Sequence, residues 1–160
     1  MNWSDVLNDP SLQNLPYKIE LNERGQIVMS PASNKHGFLQ VLIAIQLNSL
    51  VSSGHVLSEC SIASPKGVKV ADVVWGSQDF FDAQAFNTPL NQAPELCVEV
   101  VSPGNSYVEM AEKQRLYLQQ GAKEVWFCSL SGDVTFFDVE GELERSMLFP
   151  NFPLKLYLPY

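Results

Sequence analysis

Two short runs of β-forming residues each hold a carboxylate where a strand would bury an apolar side chain. The first is Val68-Lys69-Val70-Ala71-Asp72-Val73-Val74-Trp75, and the second is Glu95-Leu96-Cys97-Val98-Glu99-Val100-Val101. Side chains alternate along a strand, so Asp72 shares a face with Val68, Val70 and Val74, and Glu99 shares one with Cys97 and Val101. An unpaired buried carboxylate costs roughly several kcal/mol, so a fold that keeps two of them needs a compensating cation. A bound metal is the leading candidate for that cation. Metal held by carboxylates points in turn to hydrolysis of phosphate esters.

The remainder of the chain must supply a core around these groups. Its 160 residues, 46% of them hydrophobic, suffice for one domain spanning 1–160. The acidic start Met1-Asn2-Trp3-Ser4-Asp5 has no apolar secretory core. The longest apolar stretch, Phe38 to Val51, is interrupted by Gln40, Gln46, Asn48 and Ser49 and is too short to span a bilayer. Cys60, Cys97 and Cys128 are odd in number, widely spaced and set in apolar runs, as reduced core thiols of a cytoplasmic protein would be. The net charge of -8 argues against tight non-specific binding to nucleic acid, though a small local basic patch would still allow contact.

The order of elements is legible. Residues 1–16 read as a lead-in punctuated by Pro10 and Pro16. Tyr17–Leu21 and Gln26–Ser30 read as strands around a turn in which Gly25 supplies a left-handed conformation. Ser33 or Asn34 caps a helix over about 35–52 that is apolar on nearly every side, so it packs into the core or into the core plus a subunit interface. His55–Ile62 and Val68–Trp75 form a strand pair, followed by a short helix at Ser77–Ala85 and the strand Glu95–Val101. Ser106 opens a helix to about Gln120, ended by Gly121, before strands at Lys123–Ser129, Asp133–Val139 and Glu142–Leu148. The expected architecture is α/β (α+β), a mixed sheet flanked by helices.

On the helix after the second carboxylate strand, Met110, Lys113, Leu116 and Tyr117 share one face. Lys113 interrupts an apolar stripe. Alone it would snorkel to water, but beside two buried carboxylates it has a partner to meet.

These segments together resemble the Uma2 family, which is similar to restriction-endonuclease-like PD-(D/E)XK nucleases. The likeness rests on Tyr17-Lys18-Ile19-Glu20-Leu21, Met29-Ser30-Pro31 with His36, Val70-Ala71-Asp72-Val73-Val74-Trp75, Pro94 through Pro103, and Glu112-Lys113 with Tyr117 and Gly121 ahead of Glu124-Val125-Trp126. The resemblance implies that Asp72 and Glu99 hold a divalent metal, with the Val100 carbonyl as a further ligand. It places the catalytic lysine at Lys113, because the usual position two residues after the Glu is Val101, and it matches Glu20 to an early acidic residue of the site. Glu23 is the alternative to Glu20.

Glu20, Asp72 and Glu99 sum to -3, which a divalent ion plus Lys113 balances. All-oxygen ligands suit Mg2+ or Mn2+. His36, near a helix N-terminus, and Tyr117 are candidates to contact substrate. A capping histidine and a core aromatic are the bland alternatives. Lys35, Lys66 and Lys69 are the other basic residues expected nearby, Glu95 reads as a solvated strand start, and His55 as structural. The expected activity is metal-dependent endonucleolytic cleavage of DNA, with RNA the alternative substrate, by a homodimer. The alternative is a catalytically silent domain of the same fold that works as a dimeric binding or regulatory protein.

Overall fold

The long strand Gly67–Gly76 crosses the centre of the molecule and is buried along most of its length. The computed structural model describes residues 1–159. In chain order the elements are α1 (Trp3–Asn8), β1 (Tyr17–Leu21), β2 (Ile27–Pro31), α2 (Asn34–Leu50), β3 (His55–Ser64), β4 (Gly67–Gly76) and α3 (Gln78–Gln84). They continue with β5 (Leu96–Val101), α4 (Tyr107–Gln119), β6 (Glu124–Ser129), β7 (Val134–Asp138) and β8 (Gly141–Leu143). Strands β3 to β8 form one sheet in sequence order. Neighbours are antiparallel except β5 and β6, which are parallel and joined by α4. The mixed sheet flanked by helices is the expected architecture.

Each face of the sheet carries its own core. Leu39, Ile43 and Leu47 of α2 pack with Val73, Val98, Val100 and Trp126. On the other face Val74, Cys97 and Val125 pack with Phe81 of α3 and Tyr117 of α4. Alternation along β5 thus sends Val98 and Val100 towards α2, and Cys97 towards α4. The three cysteines are buried and unpaired. Burial pushes the thiols of Cys60 and Cys128 up to about 12, which suppresses thiolate near neutral pH. No helix among the described residues is long and apolar enough to cross a membrane.

Three segments differ from their sequence reading. Residues 1–16 do more than lead in: Asn2 caps α1 in a reciprocal box with Asp5, and Trp3 and Val6 pack on Leu21, Val68 and Val70. Helix α2 buries one stripe, His36, Leu39, Ile43 and Leu47, because a single sheet face covers it; Phe38, Val41 and Ile45 remain exposed. The final strand stops at Leu143. Beyond it the backbone N–H groups of Met147 and Leu148 donate to the Glu124 carboxylate at 2.7 and 2.9 Å, a local alternative to a strand ladder. Phe149, Phe152 and Leu156 then close over the core on the α2 side.

Candidate active site

Strands β4 and β5 pair at Trp75–Leu96, Val74–Cys97 and Val73–Val98. The next step in that register is Asp72 opposite Glu99, and there the pairing ends. Backbone donors freed where strands part must find other acceptors. The Val100 N–H donates to Asp72 Oδ2 at 2.7 Å, and the Val70 N–H donates to Glu20 Oε1, on β1, at 2.7 Å. The fork is therefore held open by side-chain carboxylates in place of ladder bonds. Asp72 is 0% and Glu99 2% exposed.

Three cationic or potentially cationic side chains face the three carboxylates. Lys113 Nζ lies 2.8 Å from Glu20 Oε1 and 3.2 Å from Glu99 Oε1. Lys18 Nζ lies 2.8 Å from Asp72 Oδ1 and 3.3 Å from Glu99 Oε2. His36 Nε2 lies 3.3 Å from Asp72 Oδ2, and Tyr117 donates its hydroxyl to Glu99 Oε1 at 2.6 Å. The carboxylates' charge of -3 thus faces two ammonium groups, with an imidazole beside Asp72. Lysines therefore supply much of the compensation that the strands alone assign to a metal.

The electrostatics follow from these contacts. Burial pushes Asp72 upward, but the hydrogen bond with His36 and the charge of Lys18 outweigh it and hold the carboxyl well below its usual range. For Glu99 burial wins over Lys113 and Lys18, and its carboxyl is raised. Burial opposes Lys18 as well, yet Glu99, Asp72 and Glu20 together keep it well above an ordinary lysine. The hydrogen bond to Asp72 raises His36.

A cavity of about 760 Å³ opens onto the fork. Lys18, His36, Asp72, Glu99, Val100 and Lys113 line it, and the loop Ser102–Asn105 forms part of its wall. Its lining includes Glu59 and Glu109, and among the described residues its lysines are Lys18 and Lys113. Opposite Asp72 in the β3–β4 register, Glu59 has a left-handed backbone with φ of 52°.

All six candidate residues, Glu20, His36, Asp72, Glu99, Lys113 and Tyr117, meet in this cluster. Glu23 lies exposed in the β1–β2 turn, apart from the cavity lining, and the lysines at 35, 66 and 69 do not line the cavity either. Lys66 pairs instead with Glu112 at 3.0 Å. Glu95 is no solvated strand start: it accepts the backbone N–H of Ser77 at 3.0 Å and ties β5 to the cap of α3. His55 bonds Gln78 at 2.9 Å and rests edge-on against Phe81, a structural role. Lys18 was missed. Its signal was the two-residue spacing to Glu20, which puts both side chains on one face of β1.

Among the described residues no cluster of three or more His, Cys, Asp and Glu side chains forms a ready metal cage. The donor chemistry at the fork nevertheless fits a hard divalent ion. Asp72 Oδ1 and Glu99 Oε2 converge on a single point, now taken by the Lys18 ammonium, beside a cavity wide enough for water to complete the shell.

The mixed sheet, its parallel β5–α4–β6 unit and the paired carboxylates at the fork define a restriction-endonuclease-like α+β protein. The chain belongs to the Uma2 family, whose model, described as "Putative restriction endonuclease", matches residues 6–146. A crystal structure of a "putative nuclease belonging to DUF820" from Anabaena variabilis ATCC 29413 shares the fold. The TM-score is 0.64 at 18% identity, covering 75% of this chain and 71% of that one. No curated protein matches the sequence.

Proposed function

We propose that this protein is a divalent-metal-dependent nuclease that hydrolyses phosphodiester bonds in DNA, with RNA the alternative substrate. The observation that carries this reading is the convergence of Asp72 and Glu99 on one point within an open cavity, with Lys113 3.2 Å from Glu99. Asp72 and Glu99 would hold Mg2+ or Mn2+. When bound, such an ion supplies a Lewis acid for a phosphate oxygen and lowers the pKa of a water.

The chain's own groups do the positioning. Lys113 spends two of its three N–H donors on Glu20 and Glu99, leaving one for a water or a phosphate oxygen. Tyr117 and Lys113 fix Glu99 from the α4 side, while His36 and the Val100 N–H fix Asp72 from the other. The remaining Lys113 donor would stabilise the charge that grows on a phosphate during attack.

The test is nicking of supercoiled plasmid in Mn2+ by wild type and by Asp72→Asn, Glu99→Gln and Lys113→Ala, with circular dichroism as the fold control. Loss of nicking in all three is expected. Full activity in any natively folded variant removes that residue from the chemistry.

A second reading has its own support. Phe38, Val41 and Ile45 form an exposed apolar strip on α2, and two buried lysines already pair with the three carboxylates. A silent domain that works as a homodimer would use that strip. Sedimentation of wild type and Val41→Lys, alongside the nicking assay, separates the two readings.

A further inference from the structure

We infer that Lys18 is an exchangeable internal counter-ion, whose ammonium occupies the point where a divalent ion would bind and must swing aside before that ion enters. This inference rests on the metal-dependent reading of the fork. Among the described residues, Lys18 is the one side chain that bonds both proposed ligands, Asp72 Oδ1 at 2.8 Å and Glu99 Oε2 at 3.3 Å. A metal taking those two oxygens removes both of its partners.

The lysine has somewhere to go. Its side chain retains 11% exposure, it lines the cavity, and it stands on the two-stranded β1–β2 hairpin beside the main sheet. Lys113 is placed differently. It bonds Glu20 and Glu99 Oε1, makes no contact with Asp72, and so does not occupy the shared point. Two nearby lysines with the same charge therefore differ in whether they block the ion. A ligand that binds only the fraction of molecules with an open site shows an affinity reduced by that fraction. Removing the blocking ammonium sets the fraction to one.

The experiment is calorimetric titration of Mn2+ into wild type, Lys18→Met, Lys113→Met, Lys18→Arg and Asp72→Asn. Lys18→Met is expected to bind Mn2+ about tenfold or more tightly than wild type, in line with a site closed about nine-tenths of the time. Lys113→Met removes the same charge and is expected to gain much less. Lys18→Arg keeps the charge and guards against a folding defect; its planar fork grips two carboxylates more firmly, so it is expected to bind Mn2+ more weakly than wild type. Thermal melting gives a second readout, with Mn2+ raising the Tm of Lys18→Met more than that of wild type. Equal gains in Lys18→Met and Lys113→Met reduce the effect to bulk charge and overturn the proposal. So does an unchanged affinity in Lys18→Arg. If Mn2+ binds wild type and not Asp72→Asn, those failures leave the metal site standing. If no variant binds Mn2+, the metal reading itself falls and takes this inference with it.

Discussion

Asp72 Oδ2 accepts the backbone N–H of Val100 at 2.7 Å, at the register step where β4 and β5 cease to pair. The side chain that would hold a metal also replaces a ladder hydrogen bond. Architecture and chemistry share one carboxylate here, so variants of Asp72 report on both.

Asp72→Ala removes that acceptor and leaves Lys18 without its nearest partner. Removing one member of a buried, hydrogen-bonded pair typically costs about 3–5 kcal/mol. Asp72→Asn keeps an acceptor oxygen for the Val100 N–H and is expected to lose less stability, while losing Mn2+ binding as fully. Urea denaturation of the two variants, paired with Mn2+ titration, checks this. Equal stability losses would mean that the hydrogen bond to Val100 contributes little.

Tyr117→Phe deletes the hydroxyl that donates to Glu99 at 2.6 Å and changes little else in a fully buried ring. Glu99 Oε1 keeps its bond to Lys113. The expected cost is about 1–3 kcal/mol, the range for leaving part of a buried charged group unsatisfied. Chemical denaturation measures it, and a neutral outcome would show that the site relaxes around the missing hydroxyl.

Glu124 is buried and accepts from Trp126, Ser146, Met147 and Leu148, with no cation in contact among the described residues. Glu124→Ala strands several donors and releases the segment that carries Phe149 and Phe152. A loss of about 3 kcal/mol or more is expected, at about 1–3 kcal/mol for a stranded buried donor. Mn2+ affinity, measured below the variant's Tm, should stay at the wild-type value. A parallel loss of affinity would connect the C-terminal clasp to the fork.

Stability should depend on pH through the fork. The Asp72 carboxyl is lowered in the folded state, so its contribution is present above the usual carboxylate range and is lost as pH falls through its folded value. The hydrogen bond to Asp72 raises His36 above 6.5, so its contribution is complete below that value and disappears as pH rises through the folded one. The Tm is therefore expected to decline as pH rises from about 6.5 through the folded value of His36, and His36→Asn to flatten that decline. A slope that survives in His36→Asn has other sources, among them Glu99, whose carboxyl burial raises, and at more alkaline pH the buried cysteine thiols. An undiminished slope would remove His36 as its source.

The sequence determined the order of elements from β1 onward and the identity of the carboxylates at the fork. β1 spans Tyr17–Leu21 as read, α4 is capped by Ser106, and Glu99 faces α4 together with Cys97, because periodicity and capping are local properties. Asp72, Glu99 and Lys113 stood out as charged groups in apolar surroundings, a property of composition along each element, whereas Glu20 came from the family resemblance, His36 from its place near a helix N-terminus and Tyr117 from sharing a helix face with Lys113. Tertiary structure decided what met what. Whether Lys18 reaches Asp72, 54 positions away, depends on how the β1–β2 hairpin seats on β4, and two-residue alternation cannot specify that. The partners of Glu95 and Glu124, and the single buried stripe of α2, likewise depend on which segments arrive in space. A carboxylate's burial could be read from its neighbours in the chain. The ion that compensates it comes from a distant segment, since charge compensation acts through space.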